Sequence, residues 1–176
     1  MHRTTVDAVR VHRAPLCHAR GLLVAGNLRL PCALGRSGVT RAKREGDGAS
    51  PAGWLAVRRI WWRADRVPPP RGRVPRRRIR PDLGWCDDAR HRRYNQPIPL
   101  PTAAGHELMW REDRLYDYVV ELGWNDRPAK PGRGSAIFLH LARPGLSPTA
   151  GCVAVTPAAI RPLLARLGPR TRLVIA

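Results

Sequence analysis

The run Tyr116-Asp117-Tyr118-Val119-Val120-Glu121-Leu122-Gly123-Trp124 alternates with period two. Tyr116, Tyr118, Val120, Leu122 and Trp124 fall on one face, with Asp117, Val119 and Glu121 on the other. That pattern predicts a strand with one buried face. A strand cannot satisfy its own backbone, so the rest of the chain must supply a sheet around it. Leu22 to Ala25 and Leu28 to Leu30 read as two strands joined by Gly26-Asn27, residues that tolerate positive φ in a hairpin turn. Trp54 to Trp62, rich in aromatic and β-branched residues, predicts another. Ser135 to Leu141, Val153 to Val155 and Thr171 to Ile175 read as further strands, and Val6, Val9 and Val11 as a weak first one.

Helix signals are few. Thr156 suits an N-cap with Pro157 at the first helical position, and Ile160, Leu163, Leu164 and Leu167 form an apolar stripe ended by Gly168. Pro162 inside that pattern should kink the helix or delay its start. His106 to Arg114 is compatible with one or two helical turns, whereas Gly84 to Asp88 and Tyr94 to Pro101 read as irregular. Many short strands with one or two short helices predict a mainly β, β-sandwich-like fold. At 176 residues the chain suits one domain. The boundaries read as N-terminal strands over 1–27 and a main domain over 28–176 with a Pro/Arg-rich loop at 67–81.

Charge bears on partners. Thirty-two basic residues against 13 acidic ones give a net charge of +19, almost all of it from Arg. Such a surface favours anionic partners, although Arg is also the cation a GC-rich genome supplies by default. Thirteen Arg against four Asp lie between Arg58 and Arg93, yet no aromatic residue interrupts Val67 to Leu83. A nucleic-acid arm would interleave stacking platforms with its charge, so a solvated loop is the better reading and nucleic acid is not the expected partner. The loop Lys43 to Gly53 is rich in Gly but lacks the Gly-Lys-Ser/Thr of a phosphate-binding loop. Cys17, Cys32, Cys86 and Cys152 form no Cys-x-x-Cys pair, so no metal site is expected; a Cys17–Cys32 disulfide is open. No apolar run is long enough to span a bilayer, and the start as given shows no signal-peptide pattern.

The candidate chemistry lies in Ser135 to Cys152. An apolar run leads into His140, a short Pro/Gly excursion follows, and Thr149-Ala150-Gly151-Cys152 leads into a second apolar run. A thiol attacks a carbonyl as thiolate, and an adjacent imidazole can take its proton and return it to a leaving amine. Gly151 permits a sharp turn whose N–H groups, that of Cys152 among them, could hold an oxyanion. Taken singly, Cys152 and His140 would each more often be core residues. Together on one short loop they read as a catalytic pair.

These residues, Ser135 to His140 and Pro148 to Ala154, resemble the catalytic segment of the L,D-transpeptidase (YkuD-like) family. Lys43 to Gly53 is similar to that family's Gly-rich loop, and Tyr94-Asn95 and Trp124-Asn125-Asp126 to segments between the two. Leu141 stands where the family commonly has Gly after the His. Ala150 replaces the second His of Ser/Thr-His-Gly-Cys, and the His140–Cys152 interval is short; together these differences mark a divergent branch. The resemblance implies a mainly β catalytic domain acting on peptidoglycan stem peptides without a cofactor. Cys152 would attack the carbonyl of the third stem residue and expel terminal D-alanine, with His140 as general base and a backbone carbonyl orienting it. Gly151 and Cys152 would supply oxyanion N–H groups. The acyl group would then pass to an amine of another stem, or to water in an L,D-carboxypeptidase. Thr149, Tyr94, Trp124 and Asn125 are candidates for the wall of the substrate groove, with core packing as the alternative for the aromatics. The resemblance also implies a place in the cell envelope, periplasm or extracellular space, against which the missing signal pattern leaves a cytoplasmic one open. A non-catalytic Arg-rich module for nucleic acid or an anionic wall polymer is the remaining reading.

Overall fold

The computed structural model describes residues 5–176; residues 1–4, the beginning of the stretch 1–27, lie outside it. Two hairpins open the chain: β1 (Ala8–Ala14), β2 (Cys17–Ala25) and β3 (Leu28–Ala33). Gly26 has φ 62 and Ala25 pairs with Leu28, the two-residue connection expected from the Gly-Asn signal. Short parallel strands β4 (Val39–Thr40) and β5 (Ser50–Pro51) clamp the ends of the Gly-rich loop. There follow β6 (Gly53–Trp62), β7 (Arg76–Arg78), β8 (Leu83–Cys86), β9 (Pro97–Pro99), β10 (His106–Leu108), β11 (Tyr118–Gly123), β12 (Phe138–Leu141) and β13 (Val153–Val155). Helix α1 (Pro157–Leu164) and β14 (Arg172–Ile175) complete the chain.

The main sheet runs β11-β12-β13-β3-β2-β1-β14-β6-β7, and β11 also pairs with β6. The sheet therefore closes on itself, and its two facing halves enclose a sandwich-like core. Strand β6 makes this possible by its length. One edge pairs with β14 over Gly53–Ala56 and then with β7, and the other carries β11 from Ala56 to Trp62. Val9, Val11, Leu23, Leu55, Ile60, Val120, Leu139, Val155 and Leu173 point inward, joined by Ile160, Leu163 and Leu164 of α1. Among the described residues the fold is mainly β with one α-helix, within the one or two short helices that the sequence predicts. Thr156 and Pro157 stand at the expected N-terminal positions of α1, without a side-chain cap. Pro162 lies within the helix, where it removes one ladder donor while the apolar stripe holds the segment in place.

A second layer covers the outside of β11 and β12. Strands β10-β8-β9 form a three-stranded sheet whose Trp85 packs edge-on against Phe138, ring centroids 4.9 Å apart. Met109, Tyr116, Val119, Trp61, Ile79 and Cys152 complete this cluster. Strand β11 is thus buried on both faces instead of one, because Val119 meets the outer layer while Tyr118, Val120 and Leu122 face the main core. His106 to Arg114 is likewise strand and turns, not helix: His106 and Leu108 pair with Cys86 and Gly84. A helix this short has too few bonds to offset nucleation, so the neighbouring strand decides its conformation. The same pairing orders Leu83–Cys86 and Pro97–Pro99, which sequence reads as irregular. Within 67–81 the three residues of β7 add an edge to β6. Val74 and Ile79 are buried there, while Arg76, Arg77 and Arg78 stay exposed.

Candidate active site

Parallel pairing of β12 with β13 sets Leu139 beside Val153 and His140 beside Ala154. Side chains alternate along both strands, so Phe138 and His140 share the outer face with Cys152 and Ala154. His140 and Cys152 therefore line one cleft of about 370 Å³, between the outer face of β12 and β13, the small sheet and the Gly-rich loop. Both are deeply placed, at 7% and 8% exposure.

The imidazole has one defined tautomer. Nδ1 lies 2.8 Å from the Leu141 carbonyl, which can only accept, so Nδ1 carries the proton and Nε2 keeps its lone pair. Burial lowers the His140 pKa to about 4, the Leu141 bond opposing it only in part. Burial also pushes the Cys152 thiol up to about 12, aided by the negative charge of Glu107 and countered by the Phe138 N–H. The resting pair is therefore neutral: thiol and imidazole, not thiolate and imidazolium. Cys152 Sγ–H donates to the Ala136 carbonyl at 3.2 Å, and its sulfur accepts from Phe138 N–H at 3.4 Å.

Several elements converge to hold the thiol. Gly151 has φ 144, and a Cβ there would stand 2.9 Å from the Ala49 carbonyl of the Gly-rich loop. Only glycine lets these two loops approach so closely. Ser50 Oγ accepts from Gly35 N–H and donates to the Cys152 carbonyl at 3.3 Å, fastening the same junction. Thr149 lines the cleft; its hydroxyl donates to the Cys152 carbonyl at 2.7 Å and accepts from Gly151 N–H at 3.1 Å. The Gly151 N–H is thus engaged inside the loop.

The other three sequence candidates stand behind the cleft. Tyr94 is buried, and its hydroxyl donates to Glu45, a cleft-lining carboxylate that also accepts from Ser135 Oγ at 2.8 Å. Trp124 Nε1 donates to the Arg133 carbonyl. Asn125 accepts from Lys130 N–H and donates to the carbonyls of Lys130 and Gly134, closing the loop that leads into β12. Sequence reading gave no site role to Asn95, Glu107 and Glu45, although Asn95 and Glu45 lie in the stretches that carry the family resemblance. The Asn95 carboxamide accepts from Trp85 Nε1 and Ala136 N–H, both at 3.0 Å, and donates to the carbonyls of Trp124 and Asn125. All four of its bonding positions are filled, and they hold Ala136, the thiol's acceptor, at φ 52. Glu107 accepts from the Tyr116 hydroxyl, and Tyr116 stacks edge-on against His140 with centroids 5.2 Å apart. A lone Glu in a short segment carries no sequence signal of that placement.

Against protein families, residues 20–175 match the L,D-transpeptidase catalytic domain (YkuD). The chain belongs to the YkuD family. The match takes in most of β2, the β2–β3 turn, the Gly-rich loop and the His140–Cys152 segment together. No curated protein and no solved structure matches the chain. In this YkuD domain the Cys152 thiol and the His140 imidazole line the same cleft.

Proposed function

We propose that this YkuD domain transfers peptidoglycan stem-peptide acyl groups through Cys152, forming L,D-linked products. The observation that carries the reading is the shared face of β12 and β13, which brings Cys152 and His140 into one cleft. On substrate binding the thiol turns from the Ala136 carbonyl towards His140 Nε2. The proton passes to Nε2 as sulfur attacks the carbonyl of the third stem residue. The imidazolium that forms keeps its Nδ1–H on the Leu141 carbonyl, and the Cys152 N–H faces the developing oxyanion, since Gly151 N–H is held by Thr149. Return of the proton to the departing nitrogen releases D-alanine and leaves a thioester. An amine of a second stem then takes the acyl group, regenerating the thiol. Water in that role would make the protein an L,D-carboxypeptidase on the same residues, and product analysis with a tetrapeptide stem separates the two. Such a substrate places the working protein in the cell envelope.

Mass spectrometry after incubation with a carbapenem, a β-lactam that acylates this family's Cys, tests the assignment. One adduct on the wild type and none on Cys152→Ala is expected; no adduct, or equal adducts, overturns it. The exposed Arg76–Arg78 edge favours a subsidiary reading, attachment to an anionic wall polymer. Binding that weakens steeply with salt would support it, and salt-independent binding would remove it.

A further inference from the structure

Glu107 faces the catalytic cleft from β10, opposite Trp85 in the strand register. Its contacts are lopsided. The Tyr116 hydroxyl donates to Oε1, and the Arg111 guanidinium lies 3.8 Å from that same oxygen. Arg111 is itself spent on Asp113, at 2.5 and 3.0 Å, and on the face of the Tyr116 ring, 5.1 Å from its centroid. Among the described residues no hydrogen bond engages Oε2, and the cleft-lining side chain keeps 30% of its surface, enough for a ligand to reach it. Through Tyr116, whose ring touches His140, Glu107 is tied to the imidazole. Asp87 and Glu45 line the same cleft, whose cations are Lys43, Arg111 and Arg143. Burial raises the Glu107 pKa above the usual carboxylate range, with the Tyr116 bond opposing it.

Acyl transfer to an amine gains from such a group. The acceptor arrives as an ammonium, R–NH3+, which cannot attack. It must shed one proton before attack and a second afterwards, and His140 can carry only one of these, because that proton returns to the Cys152 sulfur as the thioester breaks. We infer that Glu107 binds the acceptor ammonium and takes its first proton, making it the residue that selects an amine over water. This rests on the acyl-transfer reading above. The step balances: R–NH3+ gives one proton to the Glu107 carboxylate and becomes R–NH2. The amine nitrogen then bonds to the thioester carbonyl, the C–S bond breaks, and the second proton passes through His140 to the thiolate. Glu107 later loses its proton to water.

The experiment acylates Cys152 with a donor stem peptide and measures how the acyl-enzyme divides among water, a cationic primary amine and methoxyamine, which is uncharged at neutral pH. Ratios are taken per acylated Cys152, so a change in acylation does not enter them. In Glu107→Gln the amine-to-water ratio should fall about tenfold or more for the cationic amine and less than twofold for methoxyamine, with partial recovery in Glu107→Asp. If Glu107→Gln fails to fold, Tyr116→Phe, which leaves Glu107 without its hydroxyl donor, should shift the same ratio in the same direction. An unchanged ratio, or equal losses for both nucleophiles, on an acylated enzyme overturns the role of Glu107 alone. Absence of any acyl-enzyme on the wild type overturns the acyl-transfer reading and this inference with it.

Discussion

His140 holds its proton on Nδ1 against a backbone carbonyl, and burial keeps the ring neutral down to about pH 4. In the proposed mechanism the reactive pair is thiol plus neutral imidazole, so the acid limb of Cys152 acylation by a carbapenem should centre near pH 4. A limb centred near 6.5 would show that the ring is not desolvated. The same burial affects stability. The folded-state pKa is depressed from 6.5, so between pH 6.5 and about 4 the unfolded chain takes up a proton that the folded chain refuses. Stability therefore falls on acidification through that window, by at most roughly 3 kcal/mol. Denaturant titrations at pH 7 and pH 4.5 should show this loss in the wild type and a smaller one in His140→Gln; equal losses would refute it. At Gly151 the φ of 144 and the 2.9 Å approach to Ala49 leave no room for a side chain. Gly151→Ala should cost about 1–3 kcal/mol in denaturant unfolding and slow Cys152 acylation, because either the backbone or the Gly-rich loop must move.

Strand β12 is the element that makes the site, because one side of it faces the main core and the other the outer layer. Leu139 and Leu141 join the main core while Phe138 and His140 look outward, so core-side and outer-side residues alternate along four positions. Phe138 is fully buried and meets Trp85 and Tyr116 edge-on. Phe138→Ala should destabilise the protein by about 3–5 kcal/mol, and limited proteolysis should cut β8–β10 before the main sheet. Uniform cleavage would show that the small sheet does not depend on this contact. Asn95 plays the equivalent part from the loop before β9. Asn95→Ala would strand Trp85 Nε1 away from water and leave Ala136 N–H without its acceptor, at a cost of about 1–3 kcal/mol, and slow acylation by loosening Ala136.

The closed sheet joins the two ends of the chain: β1 pairs in parallel with β14 from Ala8–Arg172 to Val11–Ile175. Val9 and Val11 are fully buried in the resulting core. Removing residues 1–14 should expose edges of both β2 and β14 and abolish the cooperative thermal transition seen by circular dichroism. A truncated chain that melts like the full one would show that closure is dispensable.

Apart from β7, read as part of a Pro/Arg-rich loop, the strands of the main sheet and α1 were readable because alternation, a Gly-Asn turn and a Thr-Pro helix start are local signals. His140 and Cys152 were readable because a short loop joins them and their chemistry is distinctive. The family resemblance carried by those residues agrees with the match over residues 20–175. Strands β8, β9 and β10 escaped notice because three- and four-residue strands take their conformation from partners, not from their own residues. That also explains why Val119 gains a second buried face and why Tyr94, Trp124 and Asn125 end up bracing loops behind the cleft. Local order along the chain carries which residues could react. Only long-range pairing, which spends backbone hydrogen bonds between distant segments, decides that Glu107 meets the cleft and that β6 closes the sheet.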